Sequence, residues 1–267
     1  MSLFDGMDMR SLIPGLLPLC LMIGGCTSAS YDFVQTASIS PKFQDTDPQD
    51  FGELNPHRHP VHGIDVSKWQ GNIDWWKVKQ SGVSFAFIKA TEGKDNADPK
   101  FQEYWRQANA VGIPHAPYHF YYFCSTADQQ ADWFIANVPR AAMDMPPVID
   151  VEWNGESKTC RTRPDPATVR AEMQRFMDRL EIFYGKRPII YTSVDFHRDN
   201  LVGHFEHYHF WLRSVAAHPS KTYDQRRWAF WQYTSTAVVP GIKGLTDINV
   251  FAGSPKIWGK WLAELQR

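Results

Sequence analysis

From His62 onward, short apolar runs rich in β-branched and aromatic residues alternate with stretches of helical period, and no other feature restricts the chain as strongly. His62–Val66, Ser84–Ala90, Pro117–Phe123, Pro147–Glu152, Ile189–Thr192, Phe210–Val215, Phe230–Tyr233 and Ile248–Phe251 read as eight strands. Trp75, Trp76 and Val78 mark a short helix closing at Gly82, and Phe101, Tyr104, Trp105 and Ala108 recur at helical spacing up to Gly112. Another helix is expected over Ala127–Val138. The clearest begins at Asp165 as N-cap with Pro166 in its first turn, carries Val169, Met173, Phe176, Met177 and Leu180 on one stripe, and stops at Gly185. A last amphipathic helix, Ile257–Leu265, is expected to pack on the outside. The pattern predicts an α/β fold, an irregular single-domain (β/α) barrel with eight strands and fewer helices, and 267 residues suit one such domain.

The segment before the barrel reads differently. Leu12–Gly25 is a short apolar stretch after Arg10 that ends in small residues before Cys26, the pattern of an export signal. Ile23-Gly24-Gly25-Cys26 also resembles the bacterial lipobox, which predicts cleavage after residue 25 and lipidation of Cys26. Plain secretion with Cys26 removed is the alternative. Thr27 follows the cysteine, which in a two-membrane bacterium fits an outer-membrane lipoprotein facing the periplasm. Asp5 and Asp8 are foreign to a basic leader, so a start at Met9 competes with Met1. Residues 26–60 are polar and aperiodic and are expected to form a flexible tether, leaving the barrel at 61–267. The histidines of that tether, His57 and His59, with His62, could be taken as metal ligands, but a polar linker entering a domain accounts for them as well. With Cys26 lipidated, only Cys124 and Cys160 remain in an oxidising compartment and are expected to form a disulfide, two unpaired buried thiols being the alternative.

Charge excludes some functions. Lys+Arg number 28 against 29 Asp+Glu, so no basic field exists to collect nucleic acid. No apolar run reaches the roughly 20 residues of a membrane-spanning helix.

Chemistry is most visible at Asp150-Val151-Glu152. On a strand, residues i and i+2 share a face, so the two carboxylates point the same way. Neighbouring acids repel, which raises one pKa and tends to leave one group protonated and its partner ionised. An ion-paired surface edge strand is the plainer account, weakened by the apolar run Pro146-Pro147-Val148-Ile149 before the pair. Asp65 and Asp247 occupy comparable strand ends, so three strands deliver four carboxylates to one mouth. With 11 Trp in the chain, paired acids and aromatic faces favour glycosidic-bond cleavage. A Mg²⁺ or Ca²⁺ phosphohydrolase also uses clustered carboxylates, but neither a Gly-rich phosphate loop nor a basic clamp accompanies these.

Seven stretches in order resemble the glycoside hydrolase family 25 lysozymes, the Chalaropsis-type 1,4-β-N-acetylmuramidases. They are His62–Ser67 with Trp69-Gln70-Gly71, Phe87–Gly93, Tyr118-His119-Phe120, Asp150–Glu152, Ile190-Tyr191-Thr192, Trp231-Gln232-Tyr233 and Asp247-Ile248-Asn249. The resemblance implies hydrolysis of the β-1,4 bond between N-acetylmuramic acid and N-acetylglucosamine in peptidoglycan strands by a monomer that needs no metal or organic cofactor. It implies Glu152 as general acid and Asp150 as its partner, holding an oxazolinium-like cation formed by the substrate's 2-acetamido group. Direct attack by an Asp is the alternative. Asp65 and Asp247 would complete the acidic rim. Tyr118, Tyr191, Trp211 and Trp231 are candidate sugar contacts, each equally explicable as barrel packing, and Lys89 is either a salt bridge to one of the acids or a substrate contact. The chain departs from the family pattern at Trp211-Leu212-Arg213-Ser214, where many relatives carry a small residue after the apolar pair. Two competing expectations stay open: a peptidoglycan-binding lipoprotein with little catalysis, and a hydrolase of another N-acetylhexosamine polymer such as chitin.

Overall fold

The computed structural model describes residues 43–140 and 143–266. The export signal, Cys26 and the first part of the expected tether lie outside them. Eight strands close a barrel: β1 (His62–Val66), β2 (Val83–Glu92), β3 (His115–Phe120), β4 (Val148–Val151), β5 (Ile189–Thr192), β6 (Phe210–Arg213), β7 (Phe230–Val238) and β8 (Thr246–Phe251). Strands β1 to β7 run parallel in sequence order. Strand β8 lies antiparallel to both β7 and β1 and closes the ring.

The helices are α1 (Trp75–Gln80), α2 (Phe101–Ala110), α3 (Ala127–Asn137), α4 (Pro166–Tyr184), α5 (Val194–Asn200), α6 (Pro219–Thr222) and α7 (Pro255–Glu264). Local chemistry sets their ends. The Asp165 carboxylate accepts the Ala167 and Thr168 N–H groups, and Gly185 takes the left-handed conformation at the C-terminus of α4 (φ 71°). Thr126 and Gln129 form a reciprocal capping box on α3. The short helices α5 and α6 are additions to the five expected from sequence, although strands still outnumber helices.

Alternation along each strand divides two cores. Ile64, Ile88, Ile149, Ile190 and Leu212 face outward beneath the helices. Phe85, Phe87, Val148, Ile189, Trp211, Phe230 and Phe251 fill the barrel. Gly63 faces inward too, and a Cβ there would sit 2.3 Å from the Phe85 ring, so the position admits no side chain. Helix α7, expected on the outside, plugs the lower end instead. Its Trp258 belongs to the interior cluster, 5.3 Å from Phe85 and 5.1 Å from Phe251 between ring centroids.

Because β7, β8 and β1 are joined without crossover helices, their outer face needs another cover. The segment from Phe43 provides it and, contrary to a free tether, is laid on the barrel. Gln44 and Asp45 pair with Val238 and Ala237 of β7, Phe51 packs edge-on to Trp231 at 5.0 Å, and Phe43 lies against His62. His57 stacks on His62 while His59 lies against Trp228. Among the described residues no three His, Cys, Asp or Glu side chains are grouped as metal ligands.

Candidate active site

The mouth at the C-terminal ends of the parallel strands gathers the four expected carboxylates. Asp65 is the last residue but one of β1 and stands directly opposite Asp247, the second residue of the antiparallel β8, which so reaches the same end. Asp150 lies in β4, and Glu152 follows immediately after the strand on the same face.

Asp65 is held by a directional network. Its Oδ2 accepts the amide N–H of Gln232 at 2.9 Å and of Asn249 at 2.8 Å. Each amide is oriented from behind: the Tyr191 hydroxyl donates to Gln232 Oε1 (3.0 Å), and the Trp211 indole N–H donates to Asn249 Oδ1 (2.6 Å). With both carbonyl oxygens engaged, both NH₂ groups must face the carboxylate.

Electrostatics push all four acids upward. Burial, only partly offset by the two amides and Arg213, raises Asp65 to about 6. Burial and then repulsion from Asp65 raise Asp247 to about 8. Asp150 rises well above the carboxylate range through burial and the adjacent Glu152, and its Oδ1 is buried without a partner. Glu152 is raised by burial first and by Asp195 and Asp65, against the opposing charges of Arg213 and Lys89. The Asp150–Glu152 pair therefore holds its proton more tightly than free carboxyls do, and can both donate to a leaving group and bear charge.

The other expected residues divide by strand parity. Tyr118 faces the carboxylates, and burial beside Asp65, Asp150 and Asp247 lifts its phenol well above the usual range. Tyr191 and Trp211 point into the barrel one layer below, supporting the network, with Trp211 stacked on Phe87 at 4.0 Å. Trp231 is not brought to the mouth. It is fully buried on the outer face of β7, where its indole donates to the Ser214 carbonyl. Lys89 pairs with Glu92 at 2.6 Å and not with any of the four acids. Glu92 also accepts from the Tyr122 hydroxyl.

Sequence reading missed Gln232, Asn249, Asp195 and Glu92 as members of the site. Parity could have exposed Gln232, an inward polar residue between two outward aromatics. Asn249 has the same signal, two residues beyond Asp247. Asp195 belongs to α5, whose buried residues are Phe196, His197 and Asn200 and so show no apolar period. Cys124 and Cys160 form the expected disulfide, with Cα atoms 5.8 Å apart, linking the loops that leave β3 and β4 at the mouth.

A closed eight-stranded barrel with acids on three strand ends defines a glycosidase-type site, and comparison gives its class. Residues 64–242 match the model of the glycosyl hydrolases family 25, and the chain belongs to that family. Among relatives, it is 36% identical to protein YegX of Escherichia coli over 211 residues, covering 74% of this chain and 72% of that one. It is 34% identical to lysozyme M1 of Streptomyces globisporus over 203 residues, 73% of this chain and 68% of the relative. A family 25 glycosyl hydrolase from Bacillus anthracis superposes with a TM-score of 0.70 at 32% identity, covering 81% of this chain and 98% of the other.

Proposed function

We propose that this family 25 enzyme is a muramidase, cleaving the β-1,4 bond from N-acetylmuramic acid to N-acetylglucosamine in peptidoglycan. The observation that carries the reading is the pair of buried Asp150 and half-buried Glu152, raised in pKa at the mouth of a barrel whose relatives include a lysozyme. Glu152 stands at the rim beyond the strand and gives its proton to the leaving sugar oxygen as the glycosidic C–O bond breaks. The 2-acetamido oxygen closes on the anomeric carbon, and Asp150 holds the resulting cation as a carboxylate. Growing positive charge on the sugar draws the pair's remaining negative charge to Asp150 and its proton to Glu152. Water, deprotonated by Glu152 in the second half, then opens the ring and restores the acid.

Export with a lipid on Cys26 belongs to the same proposal, supported by the sequence from Leu12 to Cys26 and by a disulfide suited to an oxidising compartment. The testing experiment is mass spectrometry of the reducing ends released from purified peptidoglycan, with Glu152→Gln beside the wild type. Fragments ending in reducing N-acetylmuramic acid, absent with the variant, are expected. Release of reducing N-acetylglucosamine ends, or undiminished release by the variant, overturns the reading.

A further inference from the structure

Arg213 ends β6, two residues beyond the inward-facing Trp211 and in register with Gln232, whose amide grips Asp65. Parity therefore turns its side chain to the mouth. Two cations occupy inward strand positions there, and they differ in state. Lys89 is committed to Glu92 at 2.6 Å. The half-buried Arg213 guanidinium makes no ion pair within 4 Å and no hydrogen bond among the described residues; the Tyr223 hydroxyl reaches the residue's backbone carbonyl, not its side chain. It acts on Glu152, Asp65 and Asp247 at longer range without touching them.

An arginine near these three acids yet paired with none is available to an incoming anion. A neutral glycan has no need of such a group, whereas one carrying carboxylates is repelled by this mouth unless a cation receives them. The guanidinium fork fits a carboxylate through two parallel N–H bonds. We propose that Arg213 is a specificity-determining residue that binds a carboxylate carried by the glycan, so that the cleft selects muramic-acid-bearing strands over N-acetylglucosamine polymers. The inference rests on the muramidase reading and names the group that distinguishes its substrate. Two sources share the chemistry: the lactyl carboxylate of strands without peptides, and the carboxylates of attached peptides.

The test measures binding, by calorimetry, to Glu152→Gln protein with and without Arg213→Gln. Three tetrasaccharides are compared: alternating N-acetylglucosamine–N-acetylmuramic acid with free lactyl groups, the same with peptides attached, and the N-acetylglucosamine tetramer. Loss of the charged contact is expected to weaken one or both carboxylate-bearing ligands about 10- to 100-fold while the neutral tetramer stays within about twofold. Loss confined to the peptide-free ligand assigns the lactyl group, and loss confined to the peptide-bearing one assigns the peptide. Arg213→Lys, a point charge without the fork, is expected to recover part of the affinity. Equal weakening of all three ligands, no weakening, or parent protein with no preference for carboxylates overturns the proposal. Failure of the muramidase reading shows separately, in the reducing ends released by the wild type.

Discussion

Asn249→Leu tests the network behind Asp65. The substitution keeps the volume nearly constant and removes one amide, so two defects arise at a fully buried position. The Trp211 indole N–H loses its acceptor inside the barrel, at a cost of about 1–3 kcal/mol, and Asp65 loses one of two charged hydrogen bonds, at about 1.5–3 kcal/mol. Together these predict a loss of about 2.5–6 kcal/mol. For a domain of this size each kcal/mol moves Tm by about 2–4 °C, giving a fall of about 5–24 °C by calorimetry. Trp211→Phe in the same background removes the orphaned donor. The double variant should therefore be less destabilised than the two single effects imply, by about 1–3 kcal/mol. Asp65, with one donor fewer, also titrates above its present value of about 6. Strict additivity of the two substitutions, or a loss below about 1 kcal/mol for Asn249→Leu, refutes the network as the support of Asp65.

Asp247 titrates at about 8 in the fold against 3.8 unfolded, so the folded state binds more protons between these values and stability falls as pH rises through that window. Asp247→Asn should therefore stabilise at pH 8 and change little at pH 4, as measured by denaturant melts at both pH values. A pH-independent effect contradicts the assignment. The disulfide closes a sequence separation of 36 residues, and Cys124→Ser with Cys160→Ser should cost about 3–4 kcal/mol in thermal unfolding. A chain beginning at Val61 uncovers Trp231, Tyr233 and His62 and should bind an apolar dye and aggregate at concentrations where the longer chain stays monomeric; equal dye binding removes the covering role given to residues 43–60.

The barrel was legible because its strands are short uninterrupted apolar runs, and the four acids because each sits at the end of one. Where the signal weakened, boundaries slipped. Strand β7 continues to Val238 through Thr234, Ser235 and Thr236, polar residues that carry no buried-strand signature. The segment 43–60 is polar in composition, yet Phe43, Phe51 and His57 suffice to dock it, and only the missing helices over β7, β8 and β1 reveal why it must dock. The indole of Trp231 suits a sugar face, whereas parity places it outside and Gln232 inside. Partners set by register across three distant strands, such as Asp65 with Gln232 and Asn249, leave no local trace.

That separation has a consequence for when the enzyme exists. Asp65 is made early, but the two amides that hold it lie 167 and 184 residues later, on the last strands to emerge. At about 5–20 residues per second, synthesis leaves an interval of roughly 10–40 s in which the first acid is present without its supports. Closure of the barrel by β8 also delivers Asp247, the fourth acid. A nascent or truncated chain therefore carries the recognisable motifs of a hydrolase but no assembled site, and the last strand to be made is the one that arms it.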